Sequence, residues 1–104
     1  PEVNCGYRIG SRPSTLSLAD KTVVPWKWLI RIGYLSSGSG TTTVHAGDTT
    51  TTMTVERGVG TRYLLVSGVV KDITFGGFDG STEICTNDVT VGTAVPLPAA
   101  GSTP

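Results

Sequence analysis

Residues 26–34 read Trp-Lys-Trp-Leu-Ile-Arg-Ile-Gly-Tyr. Trp26, Trp28, Ile30, Ile32 and Tyr34 fall on one side of an extended strand, and Lys27, Leu29, Arg31 and Gly33 on the other. This is a period of two, which a helix of 3.6 residues per turn cannot present on one face. Both tryptophans of the chain lie in this stretch, so it is either the middle of a core or an aromatic binding face. Ile30 and Ile32 share the tryptophans' side, and such an apolar stripe left in water would be an aggregation hazard. The expectation is therefore interior packing for Trp26, Trp28 and Tyr34, with Lys27 and Arg31 on the solvent side around Leu29.

The rest of the chain carries the same period in shorter pieces. Val3, Cys5, Tyr7 and Ile9 alternate, which puts Cys5 on the apolar side of a first strand. Leu16 and Leu18 suggest a second strand, and Thr22–Val24 a short third piece. Pro25 cannot donate to a ladder, so it marks the entry to the aromatic strand or a bulge at an edge. Ser36–Gly40 (SSGSG) reads as a hairpin tip, and Thr41–His45 as the return strand. Ala46-Gly47-Asp48 turns the chain into Thr49–Glu56, where Thr50, Thr52 and Thr54 share one side. Arg57–Gly60 reads as a further turn, and Thr61–Ser67 and Val69–Phe75 as strands broken at Gly68. Asp79-Gly80, within 76–80, is a hairpin cue. Thr82–Cys85 and Val89–Val91 follow, with Asn87-Asp88 as a bulge or turn between them. Seven to nine short strands without a helical pattern predict an all-β, antiparallel β-sandwich.

At 104 residues the chain is the size of one domain. Charged residues are 15% of it, against a usual share of about 25%, and Thr, Ser and Gly replace them. With 38% hydrophobic residues it has the apolar content to fold. Eight basic and eight acidic residues cancel without forming a cluster, which argues against nucleic acid and anionic membrane as partners. No apolar run approaches the ~18 residues of a membrane span. From Gly92 the composition becomes VGTAVPLPAAGSTP, a Pro/Ala-rich tail expected to be extended. The expected organisation is a sandwich over 1–92 and a tail over 93–104. Such a tail cannot fold alone and orders only against its own domain or a neighbour, with Val95, Pro96, Leu97 and Pro98 as the candidate contact.

Cys5 and Cys85 bracket the sandwich and are expected to form a disulfide, which would place the protein in an oxidising compartment. That means extracellular space, a cell surface or a virion. A chain beginning at Pro1 suits either a mature secreted form or a product whose initiator Met was trimmed.

Candidate chemistry is sparse. His45, the single histidine, has Asp48 nearby, but no G-x-S-x-G elbow supplies a nucleophile. Zinc sites want four closely spaced ligands, and Asp72, Asp79, Glu83 and Asp88 do not follow a calcium-loop pattern. Gly58-Val59-Gly60 lacks the third glycine and the helix of a dinucleotide fingerprint. The expectation is no enzyme, no metal and no cofactor. Trp26, Trp28 and Tyr34 would form a carbohydrate platform if they were exposed instead of buried. Thr41–Thr43 beside Thr50, Thr52 and Thr54 make a ranked hydroxyl surface, explained by the strand preference of Thr, though also suited to ice or O-glycans.

The strand spacing, the early Cys5, the tryptophan pair about twenty residues on and the late Cys85 resemble an immunoglobulin-like or fibronectin-like module. The antibody Cys…Trp…Cys spacing is not met, and the resemblance implies architecture alone. The functional expectation is a non-enzymatic structural or interaction module. It would be a subunit of an extracellular or particle assembly that docks on a protein partner or a second copy through its C-terminal arm. A secreted carbohydrate-binding module is the alternative, and a small secreted hydrolase inhibitor presenting residues 76–80 the third.

Overall fold

The computed structural model describes residues 5–19 and 21–94. They form eight strands: β1 (Tyr7–Ile9), β2 (Ser14–Ser17), β3 (Trp26–Ser36), β4 (Gly40–Ala46), β5 (Thr49–Val55), β6 (Gly58–Gly68), β7 (Asp72–Phe75) and β8 (Ile84–Thr93). Two four-stranded sheets result, in the orders β1-β8-β3-β6 and β2-β7-β4-β5, with every pairing antiparallel.

The pairings follow a simple rule. The first strand meets the last, the second the seventh, the third the sixth and the fourth the fifth. The chain is thus one long two-stranded ribbon, folded at the β4–β5 turn and rolled until β8 meets β3 and β7 meets β4. That is the connectivity of a jelly roll. It corrects the immunoglobulin-like or fibronectin-like expectation, in which the first strand pairs with the second. Every connection except β4–β5 passes from one sheet to the other. The turns foreseen as hairpins at Ser36–Gly40 and Asp79-Gly80 are therefore crossovers. Arg57–Gly60 is largely strand, since β6 already begins at Gly58. Thr22–Val24 forms no strand, with Val23 and Val24 exposed, although Thr22 itself is buried and bonded to Val70.

The one hairpin among the described residues turns on Gly47 and Asp48, with Gly47 at φ 58°. Glycine at the first turn position matches the twist of the flanking strands. The turn is also clamped to the other sheet, because the Asp48 N–H donates to the Ser67 carbonyl at 2.8 Å. Asn87 falls in a bulge of β8, as its Asn-Asp sequence suggested: Gly33 faces Asp88, whereas Leu35 faces Cys85.

The core lies between the sheets. Ile30, Ile32 and Tyr34 of β3 meet Val44, Met53, Val55, Ile73 and Phe75 from the opposite sheet, all buried. Tyr34 sits across from Gly60, where a Cβ would collide with its ring, and its hydroxyl accepts the Glu56 N–H. Cys5 and Cys85 form the expected disulfide, with Cα atoms 5.2 Å apart. Cys85 alternates with buried Ile84 and Thr86, so the bridge lies on the outer face of the first sheet and ties the chain's start to its last strand. The bond agrees with an extracellular or secreted protein.

Candidate functional site

Strand parity sets up three surfaces. On the first sheet, the outward residues of β3 and β6 stand opposite one another: Leu29 with Leu65, Arg31 with Tyr63, and Leu35 with Val59. Val59, Tyr63 and Leu65 are 86%, 60% and 61% exposed, and Leu29 and Leu35 are partly open. The ion pair Arg31–Asp88, 2.7 Å apart, crosses from β3 to β8 on this face. The Arg31 guanidinium titrates above its ordinary value, first because it bonds to Asp88 and then through that residue's charge. β6 is an edge strand of eleven residues. Arg62 points the other way from these residues, placing its guanidinium over the Tyr34 ring and donating to the Thr54 carbonyl of β5.

The second sheet has the opposite character. Thr15, Thr74, His45 and Thr50 stand in register across all four strands, and Thr41 with Thr54 and Thr43 with Thr52 fill adjoining rows. Hydroxyls bond within the rows, Thr15 to Thr74 at 3.1 Å and Thr41 to Thr54 at 2.9 Å. His45 Nδ1 lies 2.8 Å from the Thr50 hydroxyl, so the histidine belongs to this polar array.

The third surface is a groove of about 490 Å³ at one end of the sandwich. It is lined by Pro25, Trp26 and Lys27 of the β3 entry, Ser67 and Gly68 at the end of β6, Asp48 of the hairpin turn and Ala94 after β8. Trp26 pairs with Gly68 across the ladder. Trp26 is 57% exposed, which corrects the expectation that both indoles are interior. Its parity is that of the core side, but it lies beyond the depth to which the second sheet covers the first. Trp28, one pleat further in, is half-buried against the core and donates its indole N–H to the Gly68 carbonyl at 3.0 Å. Tyr34 is only 5% exposed. The three aromatics therefore do not make a common platform: Trp26 lines this groove, and Tyr34 a separate one of about 380 Å³ beside Val59 and Gly60.

Other residues singled out in the sequence are dispersed. Among the described residues, no three His, Cys, Asp or Glu side chains are grouped to hold a metal ion, so Asp72, Asp79, Glu83 and Asp88 are not brought together. Among these residues, too, no helix is long and apolar enough to cross a membrane. In the 76–80 loop Phe78 is buried and its N–H donates to the Gly10 carbonyl, which holds the segment down against the body. Val95, Pro96, Leu97 and Pro98 lie outside the described residues. The apolar outer face of β3 and β6 was not foreseen as a site, although the alternation that assigned Leu29 to the solvent side also carries Leu35, and Tyr63 and Leu65 repeat it. No family model, curated protein or solved structure matches the chain.

Proposed function

We propose that the protein is a non-enzymatic structural module, a subunit of an extracellular or particle assembly such as a virion decoration or tail subunit or a cell-surface component. The observation that carries this reading is the contrast between its outer faces. One sheet shows water a hydroxyl array, and the other an aliphatic and aromatic patch on an eleven-residue edge pair. Exposed apolar side chains grouped on one face, here on either side of the Arg31–Asp88 ion pair, favour an interaction surface, and a long edge strand invites pairing. A rigid disulfide-tied jelly roll suits such a role, although the architecture hosts capsid, lectin and enzyme domains alike and does not choose among them. In this reading the Leu29–Leu65 face seats on a neighbouring subunit, the Thr face stays wet, and the C-terminal arm adds a second contact.

Sedimentation velocity across a concentration series tests the seat. Leu65→Glu should abolish association, whereas Thr52→Glu on the opposite face should leave it intact. A wild-type chain that stays monomeric throughout, or association indifferent to Leu65→Glu, would remove the basis for the reading.

A carbohydrate-binding module retains one supporting observation, the exposed Trp26 beside Asp48 and Ser67. It requires that electrophoretic mobility in polysaccharide gels be retarded for the wild type and restored by Trp26→Ala.

A further inference from the structure

Ser67 shows which backbone groups of β6 point away from β3. Its carbonyl accepts the Asp48 N–H at 2.8 Å and its N–H donates to the Thr49 hydroxyl at 2.9 Å, both outside β3. The β3–β6 register runs from end to end without a shift, and in an antiparallel ladder the outward groups recur at every second residue. The N–H and C=O of Val59, Thr61, Tyr63 and Leu65 therefore also point out of the sheet's edge. Among the described residues no strand pairs with them there. The side chains of these four residues are exposed as well. Proteins shield such edges with prolines or charged side chains. β6 has no proline, and its single charge, Arg62, is folded back over the Tyr34 ring and onto the Thr54 carbonyl at 2.7 Å. Arg62 also donates to the Thr61 carbonyl at 2.9 Å, an oxygen that can accept a second bond.

We infer that β6 pairs antiparallel with β6 of a second copy of this chain, about a two-fold axis at Arg62, which joins two four-stranded sheets into one. About that axis Val59 faces Leu65 of the second copy and Thr61 faces its Tyr63, so each outward N–H meets a carbonyl. Both are favourable cross-strand pairs, aliphatic on aliphatic and β-branched on aromatic. Moving the axis one residue toward Gly68 would call on Ser67, whose groups are taken, and moving it the other way would leave Leu65 without a partner in β6. Like charges facing across a ladder weaken it, and the withdrawal of Arg62 onto its own chain lessens that cost. Covering these residues on both copies removes on the order of 1,000 Å² in all, the smallest area of a specific interface. The joined sheets set the two Leu29–Leu65 faces side by side. The inference rests on the assembly reading above and names the partner and the pairing at that site.

Amide exchange in the full-length chain tests it directly. The N–H groups of Val59, Thr61, Tyr63 and Leu65 should exchange at least tenfold more slowly when rising concentration takes the chain from monomer to dimer. Those of Gly60, Arg62 and Leu64, which belong to the β3 ladder, should not respond. Charged substitutions test the register: Val59→Asp and Leu65→Lys should each weaken association at least tenfold by sedimentation equilibrium. Their equimolar mixture should recover it, because the mixed pair sets the new carboxylate against the new ammonium and keeps one Val59–Leu65 contact. Protection without recovery on mixing would overturn the two-fold pairing. Outward amides indifferent to concentration, with association still lost in Leu65→Glu, would leave the assembly reading standing and remove the edge pair. The same amides already slow in the monomer would mean that the chain covers its own edge, which overturns the inference. A chain monomeric at every concentration would remove the assembly reading too and leave the edge to a foreign strand.

Discussion

Trp26 and Trp28 point to the same side of one strand, two residues apart, yet they occupy different environments. The difference is depth: Trp28 is covered by the core and by its bond to the Gly68 carbonyl, while Trp26 overhangs the end of the sandwich opposite a glycine. The two truncations should therefore separate cleanly. Trp28→Ala loses half-buried aromatic packing and one hydrogen bond and should cost about 2–3 kcal/mol, below the 3–5 of a fully buried aromatic. Trp26→Ala should stay within about 1 kcal/mol of wild type. Urea unfolding followed by far-ultraviolet circular dichroism measures both. Equal costs would mean that Trp26 is covered in solution. The period-two pattern identified the side of each residue correctly because parity is a local property of an extended chain. It was silent on depth, because how far the opposite sheet reaches depends on where four other strands end.

Among the elements, the β4–β5 hairpin is the most tightly specified. Gly47 combines a positive φ with a backbone neighbour, the Ser67 carbonyl, where a Cβ would stand. Gly47→Ala should cost about 2–4 kcal/mol, roughly 1–2 for the left-handed conformation and the rest for pushing the turn off β6. Gly92→Ala, where nothing lies within 4 Å of the added atom and no positive φ is required, should be neutral or stabilise by up to about 1 kcal/mol. A chemical-denaturation midpoint for each variant decides this, and a mild Gly47→Ala would show that the clamp to Ser67 is dispensable. The contrast also explains why strands were legible in the sequence when their partners were not. Thr50, Thr52 and Thr54 announce a strand by alternation, and their partners Thr41 and Thr43 were foreseen because a two-residue turn joins them. At Ser36–Gly40 and Asp79-Gly80 the turn chemistry marks where the chain bends but carries no information on which sheet it enters next. The one long-range hint was Cys5–Cys85, which joins the segment just before the first strand to the last strand and agrees with the β1·β8 pairing.

At the scale of the whole molecule, two covalent facts about the chain's ends make opposite predictions. The disulfide spans a sequence separation of 80 and restricts the unfolded chain, so Cys5→Ser with Cys85→Ser should lower stability by about 3–4 kcal/mol, near the loop-entropy value less relaxation. Removing residues 95–104 should barely alter the fold, because β8 ends at Thr93 and the bond from Ala94 to Lys27 is kept. At low concentration the truncated and full-length chains should melt within about 2 °C of each other, since a difference of 1 kcal/mol would already shift a domain of this size by about 4–8 °C. Raising the concentration should separate them: association stabilises only the folded chain, so the full-length melting temperature climbs with concentration and the truncated one climbs less. Differential scanning calorimetry over a hundredfold concentration range reads both effects in one experiment. Parallel climbs would mean that residues 95–104 add nothing to assembly and that the Leu29–Leu65 face carries it alone.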